Sequence, residues 1–560
     1  MKKKILYLAL GLVLPLSLTA CGLLGGPTGD DSKKTPSENH IHVWDNGTVE
    51  KEPTCTVDGS KLFTCSECSE TKTESIPANG HTEEIVKGTP STCTVKGLTD
   101  GKVCSVCDEV IVAQKPAILA NHTLENDVCT VCGYETYTVG LQFELNDGGN
   151  DYTVVGYTGT VKSVVVPSKY EGKPVIAIKN EAFKECEFEE IKLPVTIEEI
   201  GAGAFQDCKK LKNIIIPEKV EIIKDNTFNG CKDLESVTIE GNIRGIGEEA
   251  FYFCEELYSI TLPDSCEEIG AEAFRVCSSL SNLTLPKNLR YLGGYSLSQT
   301  SITTITIPAT VETIEGGTFS QCKSLQTVTI SEGVKKIEQY AFHSCSLLKK
   351  IVIPASVTEI EPYLFAYNEV LESIEVAEGN TVYDSRNNCK AIIETATNTL
   401  IAGCGRTFIP TTVTAIGEAA FFGIRNLSGI SIPTSVTEIG KSAFSQCTDL
   451  TSIVIPESIT YIPEGMLSAC SYLREIIIQG NVTEIGKGAF NDTHRLKKLV
   501  LPATITKIGD GAFTRMSTAA EMKIYFRGTA LQWSQIENIQ KPEFSNFTNN
   551  GHVVYNYDGE

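Results

Sequence analysis

From Phe444 the chain reads Cys447, Leu450, Ile453, Ile455, Ile459 and Ile462 at its apolar positions, and Pro456 interrupts the run. The segment Ile453-Val454-Ile455 is β-branched, and the alternation of a strand puts Ile453 and Ile455 on one face and Val454 on the other. Pro456 ends that strand, because proline has no amide proton to give to a ladder. In the flanking stretches an Ile-Gly pair, Ile439-Gly440 and Ile485-Gly486, precedes an Ala-Phe pair. Glycine is expected there to permit a tight turn, and Phe444 is expected to fill an interior.

The same pattern recurs along most of the chain. The Phe landmark stands at Phe183, Phe205, Phe228, Phe251, Phe274, Leu297, Phe319, Phe342 and Phe365, and again at Phe421, Phe444, Leu467, Phe490 and Phe513. Steps are 23 residues, and 22 in two places. A fixed period of this size predicts a stacked solenoid in which each coil touches only its neighbours. Nine cysteines, from Cys186 to Cys470, stand three residues after a landmark and are expected to act as small buried hydrophobes. The predicted repeats run over 181–376 and 409–523, with an entry cap at 134–180 built around Tyr152, Val154 and Tyr157. An exit cap at 524–560 has Trp533 plugging the last coil. Between the two blocks, 377–408 shows a hairpin pattern. Ala391-Ile392-Ile393 and Leu400-Ile401-Ala402 flank a polar turn. Pairing Glu394 with Thr399 sets Cys389 opposite Cys404, at a separation of about 4.5 Å between Cα atoms that allows a disulfide.

Residue by residue these coils resemble the BspA-like family of leucine-rich repeat surface proteins. That family's pattern is L-x-x-I-x-I-P-x-x-V-x-x-I-G-x-x-A-F-x-x-C, which Leu450 through Cys470 follow except at Pro463, Met466 and Leu467. The resemblance implies a leucine-rich repeat solenoid, an α/β fold of mostly short parallel strands with turns and short helical segments. It also implies adhesion as the function, with host matrix proteins, plasma proteins or other cells as partners.

The first 133 residues are of another kind. Lys2, Lys3 and Lys4 precede an apolar run that ends in Leu18-Thr19-Ala20-Cys21. This resembles the lipobox of bacterial lipoproteins, which implies removal of a signal peptide over 1–21 and acylation of Cys21. The alternative is an ordinary cleaved signal peptide. Residues 22–39 read as a flexible tether. The expected location is therefore the bacterial cell envelope, lipid-anchored and outside the cytoplasm.

Of 21 cysteines, nine lie before residue 133, together with four of the seven histidines. Residues 40–133 carry a repeated set: Cys55, Cys65, Cys68 and His81, then Cys93, Cys104, Cys107 and His122, then the partial set Cys129 and Cys132. A C-x-x-C turn aims two sulfurs at one centre, and a third thiolate with an imidazole completes a tetrahedral zinc site. Disulfides are the competing reading, since the compartment is oxidising. Three cysteines per module cannot pair internally, although the eight can pair across modules. A closed zinc site would staple a small β module that lacks its own core.

Charge narrows the partners. The net charge is −22, from 70 acidic against 48 basic residues, with no concentrated basic run, so nucleic acid is excluded as a partner. No H-E-x-x-H, G-x-S-x-G, G-x-x-x-x-G-K-[ST] or EF-hand loop occurs, and His343 and His494 stand alone in their coils, so no enzyme is expected. The outward strand position gives Thr238, Thr261, Thr284, Thr306 and Thr329, a row spaced about 4.8 Å apart on a parallel ladder. Threonine's strand propensity accounts for such a row by itself. The same row is the candidate ligand face, for an extracellular protein or a glycan, of a chain expected to be monomeric.

Overall fold

The computed structural model describes residues 41–125, 128–131, 136–517 and 521–559. The chain divides after His122 into two compact units. Cys21, the expected lipid anchor, and Cys132 lie outside the described residues, as do the signal segment and tether. Among the described residues no helix is long and apolar enough to cross a membrane.

The first unit holds two three-stranded antiparallel sheets. One contains β1 (Thr48–Lys51), β2 (Gly59–Thr64) and β3 (Thr71–Ile76). The other contains β4 (Glu83–Val86), β5 (Gly101–Cys104) and β6 (Val110–Val112). In each, a C-x-x-C turn joins the central strand to the last. Few side chains here are buried apart from cysteines Cys55, Cys65 and Cys104. A module this thin has too little apolar area to hold itself together.

In the second unit the coils stack as the period predicts. Strand Ser452–Ile455 pairs in parallel with Glu475–Ile478, Ile453 against Ile476 and Ile455 against Ile478. Ile453 and Ile455 are buried and Val454 is outside, so the alternation in the sequence sets the faces of the sheet. A second, two-residue strand per coil makes another parallel ladder, Ile462 on Ile485 and Ile485 on Ile508. Phe444 is fully buried, and its ring stacks on that of Phe421 at 5.1 Å between centroids. Phe183, Phe205, Phe228, Phe251 and Phe274 form a longer column of the same kind, with spacings of 5.1–5.3 Å.

The landmark segment is not helical. Helix in this unit is confined, among the described residues, to a short 3₁₀ turn at Arg386–Asn388 and to α1 (Ala530–Ser534) and α2 (Pro542–Asn549) at the exit. The reason is a backbone alternation that the apolar pattern does not reveal. Two residues before and two after the landmark, φ is positive, as at Ser442 (52°) and Gln446 (60°) around Phe444. The same holds at Glu181 and Glu185 around Phe183, and at Asn226 and Gly230 around Phe228. Alternate right- and left-handed residues turn every second amide toward the next coil. Ser442, Phe444 and Gln446 donate to the carbonyls of Glu464, Met466 and Ser468 at 2.7–3.0 Å. The intervening Ser445 and Cys447 amides bond back within the coil to Ser442 and Phe444. Coils such as these are thus joined to the next along three edges, and an α-helix is excluded from the third because half its donors are committed elsewhere.

The glycine of Ile-Gly also has a different role from the one expected. Gly440 has no left-handed φ; a Cβ there would lie 2.4 Å from the Glu418 amide nitrogen of the preceding coil. Gly201, Gly247, Gly270 and Gly509 show the same close approach. Close approach of the preceding coil, not turn conformation, favours glycine at Gly440, although Lys224, Glu315 and Pro463 take the equivalent place in other coils.

The ends and the interruption close the stack. Leu141–Leu145 and Tyr152–Tyr157 pair antiparallel at the entry, and the sheet passes through Lys173–Ile178 to the first short strand, Glu199–Ile200. At the exit Trp533 is 2% exposed, donates its indole N–H to Thr548 Oγ1 at 3.0 Å and meets Phe526 edge to face. It is a plug. The hairpin in 377–408 forms from Ile392–Glu394 and Thr399–Ala402, with Glu394 opposite Thr399 as the polar turn predicts. Its register then slips, since Ile393 faces Leu400 but Ile392 faces Ala402. In this register Cys389 and Cys404 stand as separate thiols and not as the expected disulfide: Cys389 is directed to the Ala391 carbonyl, and Cys404 to the Lys390 carbonyl while its sulfur accepts from the Thr407 hydroxyl.

Candidate functional site

The outward positions of the long strands carry the expected threonines. Thr238, Thr261, Thr284, Thr306 and Thr329 are all exposed. Thr306 lies beside Thr329, and Thr304 beside Thr327, on adjacent parallel strands. The hydroxyl row is not a flat sheet. Pairing in this ladder falls to a single bridge between Ser259 and Asn282 and resumes only at Thr304–Thr327. The coil beginning at Leu297 is one residue short, and its interior Ile302 sits five residues after the landmark where Leu280 and Leu325 sit six after theirs. Here the strands part.

A groove opens at that point. A concavity of about 540 Å³ has Thr284, Thr304, Thr306, Thr327 and Thr329 on its walls, with Leu285 and Pro308 at its base. A second one, about 290 Å³, continues toward Ser259, Thr261, Ser281 and Asn282. The lining of the second is neutral, hydroxyls and one carboxamide over apolar carbon, while the first also holds Lys287, which pairs with Asp264 at 3.1 Å. The short-strand face is the opposite in character. Lys336 there contacts Glu338, Glu359 and Glu361 at 2.8–3.3 Å, and the three carboxylates raise the pKa of its ammonium. The long strands away from the groove also carry ion pairs, Lys350 with Glu375 and Lys498 with Glu475.

One feature had no sequence signal. Tyr340, His343, Tyr363, Tyr367 and Phe422 form a half-buried aromatic cluster across the interruption, with Tyr363 and Phe422 at 5.0 Å and His343 and Tyr367 at 5.2 Å. These residues occupy the variable positions around three landmarks, so only stacking brings them together. Burial lowers the pKa of the His343 imidazole, whose Nδ1 lies 3.1 Å from Ser320 Oγ. His494 is exposed and lies 3.6 Å from Asp492.

In the first unit the structure regroups the cysteines and histidines. The repeat places Cys55 with Cys65, Cys68 and His81, and Cys93 with Cys104, Cys107 and His122. Instead Cys55, His81, Cys104 and Cys107 lie with their donor atoms within 4.8 Å of one another, and His42 joins Cys65 and Cys68. Cys93 and His122 are not in the Cys104–Cys107 set. Cys129 is buried in the second unit. The Cys55 and Cys104 sulfurs are 3.7 Å apart, and His81 Nδ1 is 3.5 Å from Cys107 Sγ. Every described cysteine is a thiol. Backbone amides of Val106 and Cys107, with His81, lower the pKa of Cys104 to about 6, while burial and the neighbouring sulfurs raise that of Cys55 to about 11. Four such donors can hold a metal ion.

Comparison with known proteins accords with the coils. Residues 176–302, 245–372, 290–395 and 404–519 match the BspA type leucine rich repeat region, in six copies that cover more than half of the chain. The chain belongs to the BspA-type leucine-rich repeat family. Among solved structures, a leucine-rich repeat protein from Bacteroides ovatus is 27% identical, with a TM-score of 0.51 over 70% of this chain and 100% of that one. A leucine rich cell surface protein from Faecalibacterium prausnitzii is 29% identical, with a TM-score of 0.49 over 72% of this chain and 98% of that one. The pneumococcal vaccine antigen PcpA is 17% identical, with a TM-score of 0.40 over 76% and 97%. No curated protein matches the chain. The BspA-type match begins at residue 176 and leaves the Cys/His modules outside it.

Proposed function

We propose that this BspA-type protein is a non-catalytic adhesin of the bacterial envelope, anchored through Cys21 and binding an extracellular protein along its threonine face. The observation that carries the reading is the groove at Thr284, Thr306 and Thr329, a hydroxyl surface whose lining holds a single charged residue, Lys287. Short uncharged side chains let an extended partner approach the strand backbones closely, and the parting of the ladder from Ser259 to Thr304 leaves room for it. Repetition along the stack lets several weak contacts act together. The Cys/His modules serve as a spacer held by structural zinc, since a module without a core needs a staple.

Binding of the full chain to immobilised extracellular-matrix proteins tests this. Saturable binding that survives loss of the modules supports it. A second reading, capture of an envelope glycan, draws on the hydroxyl and carboxamide lining at Ser281 and Asn282. Retention by purified cell wall or polysaccharide, with no signal on matrix protein, would select it instead.

A further inference from the structure

We propose that Cys55, His81, Cys104 and Cys107 form one zinc site shared between successive modules, a clip that fastens the first three-stranded sheet to the second. The proposal deepens the reading of the modules as a zinc-held spacer and rests on it.

The distances fit a tetrahedral ion. With zinc–sulfur bonds of about 2.3 Å and a zinc–nitrogen bond of about 2.0 Å, tetrahedral geometry separates two sulfurs by about 3.75 Å and a sulfur from a nitrogen by about 3.5 Å. The Cys55–Cys104 and Cys107–His81 separations are 3.7 and 3.5 Å. A disulfide would need the first pair at about 2.05 Å.

The scaffold around the four donors is built for this. After Cys107 the chain turns through Asp108 at a φ of 61°, and the Cys104 amide and carbonyl bond to Glu109 and Asp108. This turn aims both sulfurs of the C-x-x-C to one side. Ser105 donates to the Thr82 carbonyl, which seats His81 beside the turn. Asn79 donates to the Thr54 carbonyl, which brings Cys55 from the preceding module to the same place. The far ring nitrogen of His81, Nε2, lies 3.3 Å from Glu109 Oε2, so the carboxylate holds the tautomer that presents Nδ1 to the metal. The arrangement recurs at His42, whose Nδ1 is 3.3 Å from Cys68 Sγ, whose Nε2 is 3.3 Å from Glu70, and whose neighbour Val43 accepts from Ser66. Glu109 is a positioning residue. Its position two after the C-x-x-C is a spacing that the sequence shows twice.

Thiol alkylation followed by mass spectrometry tests the clip in the purified full chain. Native protein should contain zinc, and Cys55, Cys104 and Cys107 should resist alkylation until a chelator is added. In a Cys104→Ser/Cys107→Ser variant, Cys55 should become reactive while Cys65, Cys68 and Cys93 label as in the native chain. Reactive Cys93 with Cys55 still protected would overturn the clip and leave zinc within each module. A native chain with no zinc, or with Cys55 found in a disulfide, would overturn both the clip and the zinc reading. Glu109→Ala should weaken zinc retention against a competing chelator by about 10–100-fold, with Cys55, Cys104 and Cys107 still bound at saturating metal. An unchanged affinity would remove Glu109 from the site.

Discussion

The thiol of Cys447 donates to the carbonyl oxygen of Phe421, one coil earlier, at 3.0 Å. Cys208, Cys231, Cys254, Cys277 and Cys470 repeat the bond to Phe183, Phe205, Phe228, Phe251 and Phe444. The coil cysteines are core, as their spacing predicts, and they also join one coil to the next. Burial raises the pKa of these thiols well above its ordinary value, so they are poor nucleophiles. Cys447→Ala should cost about 1 kcal/mol, because the Phe421 carbonyl keeps the Ile424 amide as a second donor. Phe444→Ala should cost about 3–5 kcal/mol, because the ring fills the coil. Chemical denaturation followed by circular dichroism separates the two. Equal losses would mean that the phenyl column is not the dominant packing.

Two glycines should respond for different reasons. At Gly440 the obstacle is the Glu418 backbone, and Gly440→Ala should overpack the coil and cost about 1–3 kcal/mol. Gly465 has a φ of 63° and its nearest obstacle is a serine hydroxyl, so Gly465→Asn should be tolerated while Gly465→Val is not. Melting temperatures of the variants check both statements. A harmless Gly440→Ala would contradict the close stacking of the coils.

His343 gives a pH dependence. Burial lowers its folded pKa from an ordinary value of 6.5, so below that pH the unfolded chain takes up a proton that the folded chain refuses. The stability that His343 contributes is complete above about pH 6.5 and is lost as the pH falls toward its folded value. His343→Gln should flatten the decline between those limits in melting curves. A parallel decline in the variant would show that His343 titrates alike in the folded and unfolded chains.

Much of this was legible because the solenoid repeats one physical problem. Ile453, Ile455 and Phe444 declare their burial by period and alternation, and Glu394 and Thr399 by the polar turn between them. What escaped depends on pairings between coils or modules. The left-handed Ser442 and Gln446 carry ordinary side chains for such positions, so the landmark segment resembles a helix in sequence. The bulge at Ile401 leaves no mark in the pattern. The repeat groups Cys55 with its nearest C-x-x-C, although the sulfur that lies beside it is 49 residues on at Cys104. The groove went unseen for the same reason: a coil one residue short has a consequence only where strands would have paired.

The measurement that tests the account most directly compares the native chain with a Thr284→Arg/Thr306→Arg/Thr329→Arg variant for binding to matrix proteins. The threonines are exposed, so the variant should melt with the native chain while losing most of its binding. Undiminished binding by a folded triple variant would contradict the assignment of this face.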